Sequence, residues 1–232
     1  MLKPMIGNLI YQRNWRYKEA WDAQNALLEM RKADEITDVL ILTDHPPVYT
    51  LGKNATGVNM LISEDAAAKQ GIDVHWIDRG GDITFHGPEQ LVGYPIFNLG
   101  ALYRDVGRFL RELEEALILS LAEFGISGGR TPGLTGVWVE GAKVAAIGVR
   151  LSRWYSKHGF ALNVNTDLNY FKSIIPCGIN DKPVTSMQEI LGKKIDFAQV
   201  AEAVERSVSE VFGFDFTWTT FSELISIQEP QG

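Results

Sequence analysis

An α+β fold, with a mixed and mainly antiparallel sheet flanked by helices, is predicted by three features of this 232-residue chain. Strand-like runs outnumber helical ones, several strands are joined by tight turns as hairpins, and the helices carry apolar stripes along one side. Tyr17 to Lys32 places Ala20, Trp21, Leu27 and Leu28 on one helical face. Val39-Leu40-Ile41-Leu42 reads as a buried strand, with a second short one from Pro47 to Leu51. A short helix is expected from Ser63 to Gln70, then strands at Val74 to Ile77 and Leu91 to Leu99. Asp105 to Phe124 carries the strongest helical pattern: Val106, Phe109, Leu110, Leu113, Leu117, Leu121 and Phe124 recur at helical spacing before Gly125.

Gly136 to Glu140 and Lys143 to Leu151 flank a Gly141-Ala142 turn and read as a hairpin, with His158 to Val164 returning beside it. Thr185-Ser186-Met187-Gln188 fits a capping box that opens a short helix. Asp196 caps a last helix through Phe197, Val200, Val204, Val208 and Val211, ending near Gly213. One domain over residues 1–232 is expected, with a small appended subdomain from about 181 as the alternative.

Composition narrows the function classes. A net charge of −7 without blocks of like charge argues against a polyanion binder, so no nucleic-acid partner is expected. One cysteine rules out a disulfide within the chain and any multi-cysteine metal site, and suits a reducing compartment. MLKPMIGNLIYQRNW lacks the apolar stretch of a signal peptide, and no segment approaches the roughly 20 apolar residues of a membrane span. A cytoplasmic location is therefore expected. No exposed heptad pattern suggests assembly, so a monomer is expected.

The lone thiol sits in Ser173-Ile174-Ile175-Pro176-Cys177-Gly178-Ile179. Pro176 fixes φ on one side, and Gly178 permits a tight turn and close approach of a ligand on the other. Two roles stay open for Cys177 on this placement: a small buried hydrophobe, or a nucleophile with free amides beside it. A nucleophile needs a cation, because a free thiol with pKa near ~8.5 is mostly protonated at neutral pH. Lys143, Lys157, His86, His158 and Lys172 are the candidates. Lys143 runs into Val144-Ala145-Ala146-Ile147-Gly148, a poorly solvated neighbourhood, although a strand-end lysine ordinarily reaches water.

Arg79-Gly80-Gly81-Asp82-Ile83-Thr84-Phe85-His86 offers bare backbone for a ligand, with Ile83 and Phe85 as apolar contacts. A phosphate cradle is the rival, but neither a Walker lysine nor GxGxxG spacing accompanies it. A glycine-rich turn whose arginine pairs with Asp78 or Asp82 fits equally well. Lys157-His158-Gly159-Phe160-Ala161-Leu162-Asn163-Val164-Asn165 reads by itself as sheet packing.

In their order along the chain, HPPVYTLG from His45, RGGDITFHGP from Arg79, GVWVEGAKVAAIG from Gly136, HGFALNVN from His158 and PCGI from Pro176 resemble the lipoyl(octanoyl) transferases. That family moves an octanoyl group from acyl carrier protein to a lysine of lipoyl domains, and shares its fold with biotin and lipoate protein ligases. The resemblance implies Cys177 as nucleophile and Lys143 as catalytic lysine. It implies an acyl site made of Arg79, Gly80, Gly81, Asp82, Ile83, Thr84, Phe85 and His86, of Ala146, Ile147 and Gly148, and of Gly159, Phe160 and Ala161. Octanoyl- or lipoyl-acyl carrier protein is the implied donor. Lipoyl domains of 2-oxoacid dehydrogenase complexes and the glycine cleavage H protein are the implied acceptors, in the first step of de novo protein lipoylation.

One residue departs from the family pattern: Glu89 stands where a glycine usually follows His-Gly-Pro. A thioester donor is already activated, so no metal and no cofactor is expected. Arg13, Arg16, Arg150, Arg153 and Lys157 are candidates for a basic patch facing the acidic carrier. An ATP-dependent ligase on the same fold, a non-catalytic binding module and a thiol hydrolase are the rival functions.

Overall fold

The computed structural model describes residues 4–176 and 182–226. The chain runs through β1 (Met5–Gln12), α1 (Tyr17–Lys32), β2 (Asp38–Thr43), β3 (Val48–Leu51), α2 (Glu64–Lys69), β4 (Asp73–Trp76), β5 (Ile83–His86) and β6 (Gln90–Ile96). Next come α3 (Leu99–Leu102), α4 (Val106–Ala122), β7 (Gly129–Thr131), β8 (Leu134–Val139), β9 (Ala142–Ser152), β10 (Tyr155–Asn163) and a 3-10 turn (Leu168–Ser173). The last elements are α5 (Met187–Leu191), α6 (Phe197–Phe212), β11 (Phe214–Thr219) and α7 (Phe221–Ser226).

The main sheet has eight strands in the order β11-β1-β2-β6-β10-β9-β8-β7. β1 runs parallel to both β11 and β2, and the remaining pairs are antiparallel. A small sheet, β4-β3-β5, stands apart from it. The predicted α+β architecture with a mixed, mainly antiparallel sheet is the one observed.

Strand periodicity sorts the core into two layers. Along β2 every residue is buried; Leu40 and Leu42 face α4 and α6, while Val39 and Ile41 face α1. Phe109, Leu113 and Leu117 of α4 meet Val200, Val204 and Val208 of α6 on the first side. Ala20, Leu27 and Leu28 of α1 cover the other side with Leu224 of α7. Helix ends follow the sequence signals: the Asp105 carboxylate accepts from the Arg108 amide at 2.9 Å, and Asp196 from the Ala198 amide at 2.9 Å.

Several elements depart from the expectations. β1, β7, β11, α3 and α7 carry no counterpart among them, and Ile83 to His86 is a strand rather than a glycine-rich turn. The strand expected to reach Leu99 stops at Ile96, because the Asn98 side chain accepts from the Gly100 and Ala101 amides and opens α3. The helix after residue 185 is capped one residue later than expected, by Ser186 accepting from the Glu189 amide. β11 extends the main sheet beside β1, and α6 shares the large core cluster, so the segment after 182 is built into the same layers.

Glu89 has φ of 62°, in the left-handed region where a glycine is at ease. Its partners hold it there. Its carboxylate meets Arg13 at 2.8 Å and accepts from Asn165 Nδ2 at 2.7 Å, and its amide donates to Asp44 at 3.2 Å. Its carbonyl accepts from the Asn165 amide and the Thr166 hydroxyl.

Candidate active site

The β9–β10 hairpin forms the floor of the site. Ala146 pairs with Ala161, Ile147 with Phe160 and Gly148 with Gly159, so the small residues of both strands lie side by side. The segment Arg79 to Gly81 crosses above them: the Gly80 amide donates to the Val149 carbonyl at 3.0 Å. A Cβ at Gly148 would stand 3.2 Å from the Gly80 carbonyl oxygen, so this approach depends on a bare backbone. The result is a cavity of about 50 Å³ lined by Arg79, Gly80, Gly81, Thr84, His86, Ala146, Ile147, Gly148, Gly159, Phe160 and Ala161, together with Tyr17, Val92, Tyr94 and His158.

The alternation of β5 divides the predicted segment. Thr84 and His86 face this cavity, while Ile83 and Phe85 turn the other way and pack with Tyr49, Leu51 and Phe171. Phe85 stacks on Tyr170 at 4.5 Å between ring centres. Ile83 and Phe85 therefore lie behind the wall, off the lining of this cavity. Asp82 is also off the lining; its carboxylate accepts from Asn59, and its carbonyl from the Gly52 amide. Tyr17 and Tyr94 escaped the sequence reading because they come from α1 and β6, far from the glycine-rich segments.

Lys143 lies at the start of β9, and its orientation has a local cause. The β8–β9 register jumps from Val137 opposite Ala145 to Trp138 opposite Lys143, a bulge that leaves Val144 extra. Just before the bulge on β8, Gly136 has φ of 127°, and a Cβ there would come within 2.6 Å of the Ala145 carbonyl oxygen. Residues 183–185 then clamp the lysine backbone: the Lys143 amide donates to the Pro183 carbonyl at 2.8 Å, and the Thr185 amide to the Lys143 carbonyl at 2.9 Å. The ammonium lies 4.8 Å from the centre of the Trp138 ring, with Lys182 at 5.8 Å from the same ring.

Lys143 lines a second, smaller compartment with Thr84, Gln90, Ala146, Ala161, Asn163, Phe171, Pro176 and Val184. It shares Thr84, Ala146 and Ala161 with the first cavity. Pro176 is the residue before Cys177; Cys177 itself lies outside the described residues.

The other candidate cations for the thiol are engaged elsewhere. Lys157 and His158 both contact Asp78, at 2.9 and 2.8 Å. Lys172 donates to Asn169. His86 donates from Nδ1 to Gln90 Oε1 at 2.8 Å; burial, with His45 and Arg79 nearby, holds its pKa well below the ordinary value. His45 is fixed in one tautomer, donating from Nδ1 to the Trp15 carbonyl and accepting at Nε2 from the Tyr94 hydroxyl. The expected basic patch is also largely neutralised. Arg13 pairs with Asp44 and Glu89, and Arg150 and Lys157 pair with Asp78. Among the described residues no group of three His, Cys, Asp or Glu is arranged to hold a metal ion, and no helix is long and apolar enough to cross a membrane.

A mostly apolar cavity adjoining a compartment that holds a lysine, on a mixed sheet with helices on both faces, is carried here on the fold of the lipoate protein ligases. The chain superposes with a TM-score of 0.74 on a bi-partite lipoate protein ligase from Thermoplasma acidophilum, determined in a study that included its E2 lipoyl domain; identity is 17%, covering 96% of this chain and 91% of that one. The family model for the lipoyl protein ligase A/B catalytic domain matches residues 16–209. The octanoyltransferase of Rubrobacter xylanophilus is 50% identical over 85% of this chain and 89% of its own length. That of Caldicellulosiruptor saccharolyticus is 43% identical over 95% and 94%. The chain belongs to the octanoyltransferases of the lipoyl protein ligase A/B catalytic-domain family. It is an acyltransferase that moves octanoyl groups in protein lipoylation.

Proposed function

We propose that octanoyl passes from the thioester of acyl carrier protein to Cys177, and from Cys177 to a lysine of a lipoyl domain. The observation that carries this reading is the shared compartment of Lys143 and Pro176, which adjoins the cavity between β5, β9 and β10. A sulfur one residue beyond Pro176 would then have a cation nearby and a slot for the acyl tail.

In the first step the Cys177 thiolate attacks the carrier thioester. The carbonyl carbon–sulfur bond to the pantetheine breaks, that sulfur leaves as a thiol by taking a proton from the Lys143 ammonium, and an S-octanoyl enzyme remains beside a neutral Lys143. Lys143 stabilises the thiolate as its ammonium. In the second step the acceptor amine loses a proton to Lys143 or its surroundings and attacks the acyl-cysteine, forming an amide and restoring the thiolate. Burial of the tail contributes roughly 0.8 kcal/mol per methylene, enough to hold the chain while the two protein partners exchange.

The experiment is a single-turnover assay with octanoyl-carrier and a purified lipoyl domain, with no ATP. Octanoyl on the acceptor lysine is the expected product. An ATP-dependent ligase would instead require free octanoate with ATP, and a hydrolase would release octanoate without the acceptor.

A further inference from the structure

At the far end of the β9–β10 hairpin from Lys143, Arg150 stands directly opposite Lys157. Like charges facing each other across an antiparallel pair repel. Asp78 resolves this. One carboxylate oxygen meets Arg150 at 2.6 Å and Lys157 at 2.9 Å, and the other accepts from His158 Nε2 at 2.8 Å. The neighbouring chain is arranged to suit: His158 has φ of 56°, its amide donates to Gln24 Oε1, and Lys157 also donates to Asn25 Oδ1.

Asp78 immediately precedes Arg79, Gly80 and Gly81, which line the cavity. From the shared wall at Ala146 and Ala161 the strands run toward Gly148, Gly159 and His158, and the segment after Asp78 crosses there through the bond from the Gly80 amide to the Val149 carbonyl. Gly80 and Arg79 lie so close over Gly148 that even one added carbon would press on them. The end wall of the slot is thus a backbone crossing, held to Thr50, Lys53 and Asn54 on one side and joined to the end of the hairpin by the Gly80–Val149 bond and the Asp78 carboxylate.

We propose that Asp78 is a positioning residue that sets the length limit of the acyl cavity, by tying the Arg79–Gly81 segment across the end of the hairpin. It touches no reacting group. Chain length is read by whether the acyl terminus fits beneath this crossing, so releasing the tie admits longer chains. The inference rests on the reading of the cavity as the octanoyl slot.

The test loads wild-type protein, Asp78→Asn and Arg150→Gln with equimolar octanoyl-, decanoyl- and dodecanoyl-carrier, and reads acyl-enzyme masses and thermal melting. One methylene is discriminated about 10- to 200-fold by a fitted pocket. The octanoyl-to-decanoyl ratio is therefore expected to fall about tenfold in Asp78→Asn, and in the same direction but less in Arg150→Gln, where Lys157 and His158 keep the carboxylate. A purely structural defect lowers all chain lengths alike. An unchanged ratio in folded Asp78→Asn, or in Arg150→Gln should Asp78→Asn fail to fold, overturns the inference while leaving the transferase reading intact. Absence of any acyl adduct on the wild type removes both.

Discussion

The ammonium of Lys143 stands 4.8 Å from the centre of the Trp138 ring, and among the described residues no carboxylate is paired with it. A cation kept by a ring face instead of an ion pair remains available to a thiolate. Lys143→Met is expected to lower the rate of octanoyl transfer by about 10²- to 10⁴-fold, the usual worth of a positioned acid–base group. Lys143→Arg should not restore it, since a guanidinium holds charge but does not give up a proton. Single-turnover rates with unchanged circular dichroism check both.

Ala146 lines both compartments, so a larger side chain there would fill space in each. Ala146→Leu is expected to block the slot: octanoyl loading falls steeply, while short acyl donors such as acetyl thioesters load as before. Equal loss for all donors would mean the variant damages the fold or the reacting groups instead. Competition between donors, read by mass, separates the two.

Glu89 keeps a left-handed backbone with the help of Arg13 and Asn165. Glu89→Ala retains the backbone cost and loses the partners, so a destabilisation of about 1–2 kcal/mol is expected. Glu89→Gly loses the same partners but relieves the backbone, and should be more stable than the alanine variant by about 1 kcal/mol. Urea unfolding of the pair measures this difference; an alanine variant as stable as the glycine one contradicts it.

Acid should destabilise the protein through its buried histidines. Burial lowers the His45 pKa to about 4, and His86 is also held well below its ordinary value. In the unfolded chain both take up a proton near pH ~6.5. Between about pH 6.5 and 4 the unfolded chain binds more protons than the folded one, so stability falls as pH is lowered through that window. His45 alone accounts for on the order of 3 kcal/mol by pH 4. Asp78, depressed by His158 and Lys157 despite its burial, adds a loss only below the ordinary carboxylate range. Urea midpoints at pH 7.5, 5.5 and 4.5 should decline in order; a flat series contradicts the assignment of His45 as buried and neutral.

What could be read in advance follows from where each signal lies. α4 and α6 were legible because Asp105, Asp196 and Gly213 mark their ends and apolar residues repeat between them. β1 was not, because Leu9 and Ile10 bury consecutively into opposite cores, erasing the alternation that marks a strand. β11 did show Phe214 and Phe216 alternating with polar residues, but it is short and follows directly on a helix. In the site, the small residues of β9 and β10 read by themselves as sheet packing, and only the family resemblance marked them out. The sorting of Thr84 and His86 from Ile83 and Phe85 required knowing that the segment is a strand. The union of Asp78 with Arg150, Lys157 and His158 joins residues some 70 to 80 positions apart. Only the closed fold brings them together.

The most direct test of the account is the intact mass of the protein after mixing with octanoyl-carrier, before any acceptor is added. One octanoyl group should appear on the wild type, be removed by neutral hydroxylamine as thioesters are, vanish in Cys177→Ser, and pass to a lipoyl domain on its addition. An octanoyl mass that persists in Cys177→Ser, or amide formation on the acceptor at full rate by that variant, would contradict the account.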